Sequence, residues 1–243
     1  MKTAILVDGG YYRKVAIPKF GSKTPEESAR ELVSYCKRHL KQHSDPDLYS
    51  DLYRIFYYDC PPSDKKVYHP LLGKTIDLGK TPNSEWMSRF IKELTKQRKV
   101  ALRLGRLSDS EIVYNLNYEA TKRLLSKERT VDDLCEQDFQ LTIKQKGVDM
   151  KIGVDIASLA YKKQVEQIVL IAGDSDFVPA AKLARREGID FILDALSRPI
   201  KTDLFVHIDG LNSKDNRLKQ IRNKKATNEK MRKTDLADME AWK

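Results

Sequence analysis

The sequence predicts an α/β protein built as a three-layer α/β/α sandwich with a mainly parallel central sheet. Short β-branched apolar runs alternate with amphipathic segments, the order that parallel strands and right-handed crossover helices require. Two of those runs, Thr3 to Val7 (TAILV) and residues 168–172 (IVLIA), are apolar almost throughout, as strands buried on both faces must be. Aspartates follow both runs within two residues. Acids therefore stand at the carboxyl ends of strands, where open α/β sheets bind their ligands.

Taken in order, TAILV is the first strand and Asp8-Gly9-Gly10 the turn after it. Tyr11, Tyr12, Arg13 and Lys14 follow, two aromatics and two cations suited to stacking bases and meeting phosphates. Ordinary packing of a first loop would use the tyrosines equally well. Pro25, Glu26 and Glu27 open a helix that places Ala29, Leu32, Val33, Cys36 and Leu40 on one face. Leu52 to Tyr58 (LYRIFYY) is a second strand ending at Asp59, and Pro61 and Pro62 break the chain. Residues 63–81 read as a long surface loop or flap. Residues 84–98 are amphipathic, and Val100 to Leu104 is a third strand. Residues 108–138, charged and helical in pattern, read as a helical insertion, and Phe139 to Ile143 as a strand.

A helix over residues 149–162 carries Ile152, Ile156 and Leu159 as its apolar stripe, with Asp155 on the same inward face. An unpaired carboxylate there would cost several kcal/mol, so a cation or a cluster of donors should face it. A metal would serve, and so would a buried Arg or Lys. Gly173 ends the next strand; Asp174, Ser175 and Asp176 form its turn, and Pro179 starts a helix that closes at Gly188. Asp and Ser are favoured helix caps, so GDSD has a purely local explanation as well. Residues 190–193 form a further strand ending at Asp194, and a short helix spans about 199–211. Residues 212–243 are rich in Lys and Arg and read as a basic helical or disordered tail after a domain over 1–211.

With 45 Lys and Arg against 35 Asp and Glu, the chain is basic by +10, which points to an acidic partner, nucleic acid above all. The start MKTAILVDGG is no signal peptide, no apolar run approaches a membrane span, and a soluble protein of the reducing cytoplasm is expected. Cys36, Cys60 and Cys135 are odd in number and lack a CxxC pair, so neither a disulfide framework nor a zinc site is signalled. Self-association as a homodimer is left open. The acids Asp8, Asp149, Asp155, Asp174 and Asp176 can reach one crevice, and such a cluster needs a compensating cation. All-oxygen ligation suits Mg²⁺ or Mn²⁺, with Asp8, Asp149, Asp174 and Asp176 as ligands. Metal, water and a polyanion together make metal-assisted phosphodiester hydrolysis. No Walker A sequence or GxGxxG turn competes.

VDGG at 7–10, YYD at 57–59, KGVDMKIGVDIASLA at 146–160, GDSDFVPAAKLARREG at 173–188, and Asp203 followed by Phe205 resemble, in that order, the NYN domain, LabA-like group, of the PIN-like nuclease superfamily. The resemblance implies a PIN-like fold and a ribonuclease, RNA being favoured over DNA, with Asp8, Asp149, Asp155, Asp174 and Asp176 lining its metal site. Tyr11, Tyr12, Arg13, Lys146 and Lys151 are the candidate substrate contacts. Many members place Asn three positions after the first Asp, where this chain has Tyr11. The alternative function is a catalytically weak RNA-binding or regulatory module of the same fold.

Overall fold

Six strands lie side by side and every neighbouring pair is parallel: β1 (Lys2–Asp8), β2 (Asp51–Asp59), β5 (Val100–Leu104), β10 (Gln167–Ile171), β11 (Asp190–Asp194) and β12 (Gly210–Leu211). This is a computed structural model, and it describes residues 1–41, 50–108 and 112–214. Across the sheet the order is β12-β11-β10-β1-β2-β5. From β1 the chain winds outward through β2 to β5, then crosses to the other side of β1 and winds through β10 to β12. The winding reverses between β1 and β10, and such a switch point opens a crevice at the strands' carboxyl ends.

Alternation along the strands fills both flanking layers. Ala4, Leu6, Phe56, Tyr58, Ile168, Leu170, Phe191 and Leu193 face α5 (Val148–Tyr161) and α6 (Val178–Arg186), meeting Ile152, Ile156, Ala181 and Ala184. Ile5, Val7, Ile55, Tyr57, Val169 and Ile171 face the other way, onto α1 (Gly9–Phe20), α2 (Pro25–Arg38) and α3 (Pro82–Thr95). The three layers expected from the sequence are these. Local chemistry agrees with them: Thr24 and Glu27 form a capping box at the start of α2, and Gly188, with φ +81°, stops α6.

Three expectations change. Residues 63–81 contain a hairpin, β3 (Lys66–His69) antiparallel to β4 (Lys74–Asp77), where a long surface loop or flap was expected. The insertion is not wholly helical. It holds α4 (Tyr118–Leu125) and β7 (Val113–Leu116), which pairs antiparallel with β8 (Phe139–Thr142). Ile112 and Tyr114 of the insertion pack there with Leu141 on Val67 and Leu78. Beside it, β6 (Arg106–Leu107) pairs with β9 (Gln145–Lys146). The helix expected over 199–211 shrinks to α7 (Thr202–Phe205), because Gly210 and Leu211 pair with β11 instead. The basic tail beyond Lys214 lies outside the described residues.

Candidate active site

Asp8 ends β1 beside the switch point, and its Oδ1 accepts the Tyr11 N–H at 3.0 Å. Gly9 lets the chain enter α1 at once, since a Cβ there would lie 2.4 Å from the Tyr57 hydroxyl and 2.6 Å from Asp59 Oδ2. On the other side of the switch point Gly173 leaves β10. A Cβ at Gly173 would lie 2.3 Å from the Tyr11 ring. Asp174 then caps the 3₁₀ turn Ser175–Phe177, its Oδ1 accepting the Asp176 N–H at 3.1 Å. The cap uses one oxygen and leaves the other free to serve a ligand. Asp149 sits in the first turn of α5, which starts at Gly147 with φ +80° and has no side-chain cap.

These four acids share one electrostatic field. Burial pushes the Asp8 carboxyl up to about 6, the Tyr11 N–H opposes that, and the charges of Asp149 and Asp59 add to it. Asp149 is raised as well, first by burial and then by Asp174 and Asp176. No cation is among the groups that shift either one. Among the described residues, however, no three His, Cys, Asp or Glu side chains are gathered closely enough to hold an ion as they stand.

Asp59, at the end of β2, is fully buried and has its cation. Arg13 grips it with Nε and Nη2, each at 3.0 Å, Tyr57 donates its hydroxyl at 2.7 Å, the Cys60 N–H lies at 2.8 Å, and Gln145 Nε2 at 3.2 Å. Arg13 is thereby committed to a carboxylate instead of a phosphate, which corrects its expected substrate role. Tyr12 is corrected too: it is 4% exposed, packed in the core with its ring 6.1 Å from that of Tyr35, and offers no face to a base. Tyr11 is half-buried; its hydroxyl donates to the Ala195 carbonyl at 2.6 Å, and burial first of all pushes its phenol up to about 12. It ties the end of β1 to the end of β11 across Gly173. Lys146 and Lys151 are exposed, on β9 and on α5 two residues past Asp149.

Asp155 is not brought to the four acids. It stands about 9 Å further along α5 than Asp149, where it accepts the Tyr58 hydroxyl and the Arg103 Nε, each at 2.8 Å. The Arg103 guanidinium lies 5.0 Å from the centre of the Phe56 ring. The inward carboxylate has found a protein cation, the outcome that requires no metal. Asp155→Leu is therefore expected to destabilise the protein by about 1–3 kcal/mol, since the buried Tyr58 hydroxyl loses its acceptor. A melting temperature at or above that of the wild type would contradict this pairing.

One buried acid was noted only as a strand end. Asp194, fully buried at the end of β11, accepts the Tyr35 hydroxyl at 2.5 Å, the Leu196 N–H at 2.7 Å and the Ser213 hydroxyl at 2.7 Å, with His39 Nε2 at 2.9 Å. Burial raises its carboxyl, but the His39 bond and charge, Tyr35 and Ser213 together hold it below the usual range. This network clamps α2 to the sheet and leaves no oxygen for a ligand.

Residues 87–206 match the NYN domain family. Asp149, Asp155, Asp174 and Asp176 fall inside that match, and Asp8 precedes it. A crystal structure of a protein of unknown function from Vibrio parahaemolyticus is similar at 12% identity and a TM-score of 0.44, covering 88% of this chain and 93% of its own. Among curated proteins none matches. The motifs, the parallel sheet and the family match agree, and residues 87–206 of the chain form an NYN domain, a family of the PIN-like nuclease superfamily.

Proposed function

We propose that the chain is a ribonuclease that uses Mg²⁺ or Mn²⁺ to hydrolyse phosphodiester bonds, with Asp8, Asp149, Asp174 and Asp176 as ligands. The observation that carries the reading is the shared field of these acids at the switch point. Two of them are raised by their neighbours and by burial, and no protein cation offsets either. The donor set fits the group: carboxylate oxygens from three elements, with neither thiolate nor imidazole, suit a hard cation. When bound, such a cation lowers the pKa of water and neutralises the phosphate's charge.

The chain's own residues do the rest. Asp176, through its backbone N–H, fixes one Asp174 oxygen and so orients the carboxylate. Lys201 Nζ donates to the Ser175 hydroxyl at 3.2 Å, placing a cation beside the turn without consuming either acid. Exposed Lys146 and Lys151 supply charge for the phosphate backbone. Hydrolysis joins a water oxygen to phosphorus, breaks one phosphorus–ester oxygen bond and passes a proton to the departing oxygen. No helix among the described residues is long and apolar enough to cross a membrane, and a cytoplasmic RNA substrate suits the net charge of +10.

A catalytically weak RNA-binding module is the second reading, favoured by the separation of the acids. Cleavage of labelled single-stranded and duplex RNA and DNA, with Mg²⁺, Mn²⁺ or EDTA, separates the two. Cleavage of RNA that EDTA stops supports the nuclease; tight binding with no cleavage under any metal supports the module.

A further inference from the structure

On the Asp8 side of the four acids lies a cleft of about 220 Å³ that the proposed chemistry does not use. It is lined by Asn83, Ser84 and Met87 from the first two turns of α3 and by Leu141 from β8. Gln145 joins it to the acids. This side chain lines the cleft and gives its Nε2 to Asp59. A Cβ built at Gly10 would lie 3.6 Å from Gln145 Oε1 and 3.5 Å from Asp8 Oδ1, so the amide and the carboxylate flank one spot.

We infer that this cleft receives one unpaired nucleobase of the RNA strand, next to the scissile phosphate; the inference rests on the nuclease reading above. The volume falls below the roughly 300–1,000 Å³ of pockets that enclose drug-sized ligands, and suits a single planar ring system. Half-buried Leu141 and exposed Ile143 offer apolar contact to the ring faces. Neutral amides and hydroxyls line the edges, and Arg13, the one charged group that lines the cleft among the described residues, is paired to Asp59. That chemistry matches an uncharged heterocycle bearing donors and acceptors. The Asn83 side chain is exposed, with no hydrogen bond among the described residues, and presents one acceptor and two donors to a base edge. A base in a duplex cannot enter without leaving its stack, so the cleft selects single-stranded or looped RNA at the cut.

The test is binding of a short fluorescent single-stranded RNA in EDTA, with each nucleotide in turn replaced by an abasic one. One position is expected to weaken the wild-type Kd by about tenfold, within the contribution of one stacked base. Leu141→Trp, which fills the cleft, should shrink that penalty to under twofold, and Asn83→Ala, at an exposed position, should reduce it while leaving the fold intact. Abasic penalties that are equal at all positions, or unchanged in both variants, would overturn the proposal. The readout needs no cleavage. A position-specific penalty in a protein that never cuts RNA would retain the base site and reject the nuclease; absence of RNA binding would reject both.

Discussion

Asp174→Asn is expected to lower kcat for RNA cleavage by about a thousandfold or more, the scale of losing a group that acts only through the cation and the transition state. The substitution keeps the oxygen that accepts the Asp176 N–H, so the 3₁₀ turn should persist. Asp174 is exposed, which limits the stability change to about 0.5 kcal/mol in either direction. A single-turnover assay beside a thermal melt measures both. Wild-type rates in this variant would remove Asp174 from the machinery.

Asp8→Asn should stabilise the metal-free protein while abolishing its cleavage. A carboxyl raised from 3.8 to about 6 is one whose charged form the fold disfavours, a difference worth about 3 kcal/mol. Because the folded-state value is the higher one, the favourable contribution of this group is fully present below pH 4. It is lost as pH rises through about 6. The variant, neutral throughout and still able to accept the Tyr11 N–H, escapes that loss. Urea unfolding at pH 7.5 should therefore show the variant more stable by up to about 3 kcal/mol, with the gap closing towards pH 4. A gap that does not change with pH would mean that Asp8 carries no such burden.

The positions of Asp8, Asp149, Asp174 and Asp176 were legible because each follows a buried strand or opens a helix, and parallel topology brings such places to one edge of the sheet. The stripe on α5 also revealed that Asp155 points inward and needs a cation. Which cation could not be read, because Arg103 and Tyr58 lie 52 and 97 residues away in sequence. Distance hid the partners of Asp59 and Asp194 as well: strand-end acids announce themselves, but whether Arg13 or His39 reaches them is decided by packing. Tyr12 and Arg13 misled for a local reason. The chain becomes helical at Gly9, and a helix lying on a sheet must bury one face, which takes Tyr12 into the core and Arg13 down to Asp59. In the insertion, a mixed stretch of four residues such as Val113–Leu116 fits helix and strand alike, and its pairing with Phe139–Thr142 settles the matter.

The account rests on the four acids holding a hard cation, and calorimetric titration of the purified full chain with Mn²⁺ tests this most directly. At pH 7.5 saturable binding is expected. At pH 5, where Asp8 is largely protonated, the affinity should fall by about tenfold or more, and in Asp8→Asn the binding should be lost at both pH values. No saturable binding at pH 7.5, or an affinity that neither the pH nor the Asp8→Asn substitution alters, would contradict it.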